Sequence, residues 1–181
     1  MIDLEKFDAD ELLALARLDV EKERFDEALA KLKQARARQD APAIISELGR
    51  VYVRLGLRQR AKQAFEAVLA RDPAAVNDRF QLGLIHFELG DRAQALSLWQ
   101  EVLGKAPLHP PAIYYSALAL AQSGQVLQAY DLCRTLVEKV QPDNLFVGRA
   151  KELLQKIESD PKFRKIEAER PLAGATSTTE H

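Results

Sequence analysis

The sequence predicts an all-α chain built as a stack of helix–turn–helix repeats, and three observations support it. Gly56, Gly90 and Gly124 fall 34 residues apart. Between them the apolar residues recur at the 3.6-residue period of a helix. Glycine and proline, eight of each, gather at the junctions, and strong helix formers (Ala, Leu, Glu, Lys, Arg, Gln) fill the segments between. A fixed period of this length marks supersecondary units stacked in line.

The first copy, residues 9–41, is degenerate. Leu15-Ala16, Ala28, Leu32 and Ala35 lie 33 residues ahead of their counterparts, and Glu23 stands where glycine is expected. The second copy spans 42–75. Ile45, Leu48, Val51, Tyr52 and Leu55 form one helical face, Gly56 breaks it, and Ala61, Ala64, Phe65, Val68 and Leu69 line a second helix that ends at Asp72-Pro73. The third, 76–109, repeats this with Leu82-Gly83, His86, Gly90, Ala95, Trp99, Val102 and Pro107. The fourth, 110–142, keeps the register with Ala117, Leu120, Gly124, Ala129, Cys133 and Leu136.

Within each copy the repeated glycine serves a helix C-terminus that needs a left-handed residue. The small residues Gly49, Gly83 and Ala117, with Ala61, Ala95 and Ala129, remove bulk where two helix axes approach. Phe65, Trp99 and Cys133 fill the wider space beyond. Residues 143–158 then predict a capping helix, with Asp143 or Asn144 as N-cap and Phe146, Ala150, Leu153, Leu154 and Ile157 as its apolar stripe. Residues 1–158 thus form one expected domain. The extension 159–181 continues as helix over Lys162–Glu169 and ends, from Pro171, in a small polar tail expected to be disordered.

Composition narrows the function classes. Apolar residues make up 47% of 181, enough for a core, and the net charge of −1 gives no global field toward nucleic acid or an anionic membrane. Residues 1–41 carry eight basic and eleven acidic groups, whereas 42–73 carry six and three. That dipole favours steering of a partner. The acidic start lacks the pattern of a secretory signal, and no apolar run is long enough for a membrane span. A lone cysteine suits a reducing compartment, so a cytoplasmic location is expected.

Catalytic, cofactor and metal sites are not expected. His86, His109 and His181 show no metal-ligand spacing, and Cys133 lacks a CxxC partner. His86 reads as a structural histidine and Cys133 as a small packed hydrophobe. Asp8, Asp10 and Glu11 precede a helix whose dipole favours anions there. The basic run Lys31, Lys33, Arg36 and Arg38 reads as a solvated face.

The series Leu48-Gly49, Tyr52, Gly56, Ala61, Phe65, Val68, Pro73 and its next copy resemble the tetratricopeptide repeat, over roughly residues 9–142. The resemblance implies a right-handed superhelix whose concave face is lined by first helices. Carried over by position, that face takes Arg17, Val20 and Glu21; Ser46, Arg50, Val53 and Arg54; Asn77, Phe80, Leu84, Phe87 and Glu88; and Tyr114, Leu118, Ala121 and Gln122. Its first half is basic through Arg17, Arg50 and Arg54. Its second half is apolar through Phe80, Leu84, Phe87, Tyr114 and Leu118, the first three in an i, i+4, i+7 stripe. Members that clamp heat-shock C-termini use lysines and asparagines, and Arg17 and Arg50 stand where asparagines would be.

The expected function is therefore non-enzymatic. An adaptor would hold a peptide or short helix of another protein, with apolar anchors and acidic groups, in a bacterial secretion, pilus or motility assembly. Alternatives are a secretion-type chaperone, whose family Asp78-Arg79-Phe80-Gln81-Leu82-Gly83-Leu84 resembles in part, and a self-assembling protein that forms homodimers or larger arrays.

Overall fold

The structure, a computed structural model, describes residues 4–169. After a 3₁₀ turn at Leu4–Lys6 come α1 (Ala9–Glu21), α2 (Phe25–Arg38), α3 (Pro42–Arg54), α4 (Arg58–Arg71), α5 (Val76–Glu88) and α6 (Arg92–Lys105). They are followed by α7 (Pro110–Gln122), α8 (Val126–Lys139), α9 (Leu145–Ser159) and α10 (Pro161–Ala168), with no strand among the described residues. The chain divides between Pro107 and Leu108 into two compact parts. In the first, α1 packs on α2, α3 on α4 and α5 on α6, while α2 meets α3 and α4 meets α5. In the second, α7 packs on α8, α9 lies against both, and α10 lies against α8 and α9.

The intra-pair turns share one geometry. Gly56, Gly90 and Gly124 adopt φ of 71°, 84° and 80°, and Glu23 takes the same left-handed conformation at 57°. Past each of these, a backbone N–H reaches back into the preceding helix: Arg24 to Asp19, Leu57 to Tyr52, Asp91 to His86 and Gln125 to Leu120, at 2.8–2.9 Å. This is the Schellman bond that satisfies a helix's last carbonyls. Glu23 makes the turn without glycine, at the steric cost that an L side chain carries there.

Helix pairs close where the small residues stand. A Cβ on Gly49 would lie 2.7 Å from Phe65 Cε1, and one on Gly83 only 2.3 Å from Trp99 Nε1. Ala61, Ala95, Phe65 and Trp99 are fully buried at these crossings. The Trp99 indole N–H donates to the Phe80 carbonyl at 3.2 Å, so the largest core side chain leaves no unsatisfied donor.

A second periodic device ties successive repeats of the first part. The last residues of α2, α4 and α6 are basic, and each donates to a backbone carbonyl about one repeat earlier. Arg38 reaches Leu4 and Glu5 at 3.1 and 2.9 Å, Arg71 reaches Asp40 at 2.8 Å, and Lys105 reaches Pro73 at 2.5 Å. A cation at a helix C-terminus is also favoured by the macrodipole. In the basic run near residue 36, Lys33, Arg36 and Arg38 are exposed as expected of a solvated face, and only Lys31 is half-buried. Arg38 holds the chain start, Arg36 pairs with Asp40 at 3.1 Å, and Lys31 pairs with the buried Asp19, which Arg24 also contacts. Burial pushes the Asp19 carboxyl up, and the two cations more than offset this and hold it below the ordinary value.

In the second part Asn144 caps α9 by accepting from the Phe146 N–H at 2.9 Å. The helix does not run on through the extension: Asp160-Pro161 breaks it, and Asp160 caps α10 by accepting from the Lys162 N–H at 2.8 Å. Phe163 is buried there against Tyr130, ring centroids 4.9 Å apart. The tail expected from Pro171 onward lies outside the described residues.

Candidate functional site

In the first compact part the first helices α1, α3 and α5 carry six of the residues singled out from sequence. Arg17 and Arg50 come together on one carboxylate. Arg17 Nε lies 3.2 Å and Arg50 Nη1 2.7 Å from the same Oε1 of Glu47, a buried residue of α3. Arg54 stands apart, 3.3 Å from Glu23 Oε1, with its guanidinium 4.7 Å above the Phe25 ring. The face expected to be basic therefore carries internal countercharges. All three arginine side chains remain 41–53% exposed, and each guanidinium carries more N–H donors than these pairs use.

Beside them a polar hollow of about 240 Å³ opens between the first turns of α3 and α5, lined by Arg17, Ser46, Arg50, Asp72 and Asp78 among others. Ser46 Oγ donates to Asp78 Oδ1 at 2.5 Å, and both side chains are buried. That bond fixes α3 against α5.

The stripe Phe80, Leu84 and Phe87 splits. Phe80 is 7% exposed and packs on Trp99 at a centroid distance of 6.3 Å. Phe87 also meets Trp99, at 5.7 Å, and stays half-buried. The reason is Gly83: with no Cβ in the way, the indole comes close enough to α5 to cover Phe80. Leu84 is half-buried and lines a hollow of about 130 Å³ with Val53, Gly56, Gln81 and Ile85. Arg58 and Glu88 complete its wall and pair across it at 2.9 Å.

In the second compact part Tyr114 and Leu118 lie half-buried on α7. Tyr114 packs on Tyr115 at 5.3 Å and on Phe146 of α9 at 5.8 Å. Burial raises its phenol above the ordinary value. Arg149 stacks on the other partner, its guanidinium 5.3 Å from the Phe146 ring centre. Tyr114 thus serves the contact of the capping helix.

Residues that the sequence reading did not select are Glu47, Arg58 and Gln81. For Glu47 a signal existed: a carboxylate between Ile44 and Leu48 on a packing stripe needs a countercharge. For Arg58 and Gln81 no sequence signal separates them from ordinary surface residues.

Other reactive groups are held in structural roles. His109 caps α7, its Nδ1 accepting from the Ala112 N–H at 3.2 Å. His86 Nδ1 lies 3.2 Å from Asp91 Oδ2. Burial pushes the Cys133 thiol up to about 12, which keeps it protonated and unreactive. Among the described residues no cluster of His, Cys, Asp or Glu is suited to a metal, and no helix is long and apolar enough to cross a membrane.

Comparison with known proteins agrees with this geometry. The tetratricopeptide repeat family model matches residues 46–91 and 80–144. Over 100 residues the chain is 32% identical to the probable biofilm formation methyltransferase WspC of Pseudomonas putida, covering 54% of this chain and 24% of that protein. It thus spans about a quarter of that relative's length. A tetratricopeptide repeat protein from Parabacteroides merdae superimposes with a TM-score of 0.71 at 22% identity, over 89% of this chain and 62% of that one. YrrB, whose structure is described as a TPR protein with an unusual peptide-binding site, gives 0.68 at 24% identity, over 80% and 74%. MamA AMB-1 gives 0.66 at 24%, over 77% and 78%. At these identities the likeness is one of fold.

Proposed function

Because this chain belongs to the tetratricopeptide repeat family, whose helix pairs serve as protein-interaction modules, we propose that it is a non-enzymatic adaptor. It holds a peptide or short helix of another protein along α1, α3 and α5. The observation that carries this reading is the hollow at Leu84, about 130 Å³, with Val53 and Ile85 on its walls. That volume suits one large aliphatic side chain, the kind of anchor that dominates peptide affinity. Gln81 and the Arg58–Glu88 pair at its rim offer hydrogen bonds to the backbone of such a segment. Arg17, Arg50 and Arg54, each already paired, act on acidic groups of the partner through their further N–H donors. Their role is selection and orientation more than affinity.

The peptide-binding site for which the YrrB structure is named supports a peptide as the class of ligand. The likeness to a Pseudomonas protein named for biofilm formation supports a bacterial setting. The test is comparative capture from cell extract by the wild-type chain, Leu84→Glu and Leu145→Glu, with circular dichroism of each. A partner captured by wild type and Leu145→Glu but lost from Leu84→Glu, at equal helicity, is expected. The same partner retained by Leu84→Glu would place binding elsewhere.

A further inference from the structure

A hollow of about 340 Å³ lies on another face of α3, where α2 and α4 pass on either side of it. Ile45, Tyr52, Ala64, Ala67, Arg36, Arg60 and Gln63 line it. Its floor is small and apolar: Ile45 and Ala64 are buried and Ala67 half-buried. Its rim is cationic. Arg60 rests on the Tyr52 ring, 6.0 Å from the centre, and has no acidic partner among the described residues. Arg36 and Arg71 share the single carboxylate of Asp40.

The same spot in the neighbouring repeats is closed. Thirty-four positions on, Ile45, Ala64 and Ala67 are replaced by Arg79, Leu98 and Glu101. There Arg79 Nε meets Glu101 Oε2 at 3.0 Å, with only 10% of the arginine side chain exposed. Thirty-three positions earlier, Tyr52 and Ala64 correspond to Asp19 and Lys31, which form an ion pair with the aspartate buried. Each neighbour thus fills the position with a cation and a carboxylate from its own chain. The second repeat has Ile45, Tyr52, Ala64 and Ala67 at those positions, with neither charge of such a pair, while Arg60 and Arg36 stand at the rim.

We infer that this hollow is a second interaction site, which takes an acidic segment of another protein. A glutamate or aspartate meets Arg60 and Arg36, and an adjacent apolar side chain rests on Ile45, Ala64 and Ala67. Charge complementarity sets the class of partner. The empty volume allows a side chain where the next repeat has Leu98 and Glu101. This site does not depend on the groove reading, since Leu84 and Val53 take no part in it.

The experiment is an NMR titration of the isotope-labelled full chain with the blocked peptide acetyl-Leu-Glu-Glu-Leu-amide, and separately with acetyl-Leu-Lys-Lys-Leu-amide. The acidic peptide should shift the signals of Tyr52, Arg60, Gln63 and Ala67 and the Nε–H of Arg60, and the basic one should not. Arg60→Glu, exposed and safe for folding, should weaken the effect by about fivefold or more. Ala67→Glu, which mimics Glu101, should suppress it, and Leu84→Glu should leave it unchanged. Equal shifts with both peptides, or shifts that persist in Arg60→Glu and Ala67→Glu, would overturn the proposal. So would concentration-dependent shifts of these signals without peptide, which would assign the hollow to a second copy of the chain.

Discussion

Gly83 stands so close to Trp99 that a β-carbon on it would lie 2.3 Å from the indole nitrogen. The same indole N–H bonds the Phe80 carbonyl, so one contact sets the α5–α6 distance and satisfies a buried donor. Gly83→Ala should force these helices apart and cost about 1–3 kcal/mol, with a shifted tryptophan emission in the native state. Gly104, near the end of α6, is open: a β-carbon added there would meet nothing within 4 Å. There alanine should add up to about 1 kcal/mol through helix propensity. Denaturant midpoints of the two variants, moving in opposite directions, check both assignments.

Glu23 occupies the left-handed position that glycine holds in the other three turns. Its ion pair with Arg54 at 3.3 Å is exposed on both sides and contributes little. Glu23→Gly should therefore stabilise the chain by about 0.5–1 kcal/mol, relief of steric cost outweighing the extra entropy of the unfolded state. Gly90→Ala should do the reverse by a similar amount, because no side chain crowds that position and only conformation is at stake. Urea unfolding with unchanged slope and shifted midpoint is the check.

How far the sequence revealed the molecule can be judged residue by residue. The turns at Gly56, Gly90 and Gly124 and the crossings at Gly49–Phe65 and Gly83–Trp99 were legible, because conformation and size at fixed spacing determine them. The displaced Glu23 was legible by the same period. The arginine pairings were not. Arg17 meets Glu47 30 residues away and Arg58 meets Glu88 at the same separation, and side-chain reach across stacked helices has no signature along the chain. The latch through Arg38, Arg71 and Lys105 was in principle visible, as basic residues 33 and 34 apart, but a helix-end cation is common enough to hide it. Phe80 followed the stripe of Leu84 and Phe87, yet lies beneath Trp99, since helical phase alone does not say how near a neighbouring ring can come.

His109 caps α7 with an unprotonated Nδ1, and burial pushes its imidazole below the ordinary value of 6.5. A group lowered on folding binds its proton more readily in the unfolded chain. Its contribution is therefore complete above 6.5 and is lost as pH falls through the lowered folded value. The wild-type chain should lose stability over that interval relative to His109→Asn, which offers a cap oxygen that does not titrate. Paired melting curves at about pH 7.5 and at about pH 5 isolate the difference. Equal losses in both proteins would remove His109 from the cap.

Glu47 joins Arg17 and Arg50 asymmetrically: the carboxylate is 10% exposed, and the guanidiniums 53% and 41%. Removing one arginine leaves the other in place, so Arg17→Ala and Arg50→Ala should each cost less than about 1 kcal/mol. Removing both strands a buried carboxylate, and the double variant should lose about 1–3 kcal/mol, more than the sum of the singles. Glu47→Gln should be milder, because two solvated arginines need no partner and the amide oxygen still accepts from one. A double-mutant cycle by denaturant unfolding reads this directly. Additive singles would show that each arginine acts alone, and that the groove's polarity is set by solvent and not by Glu47.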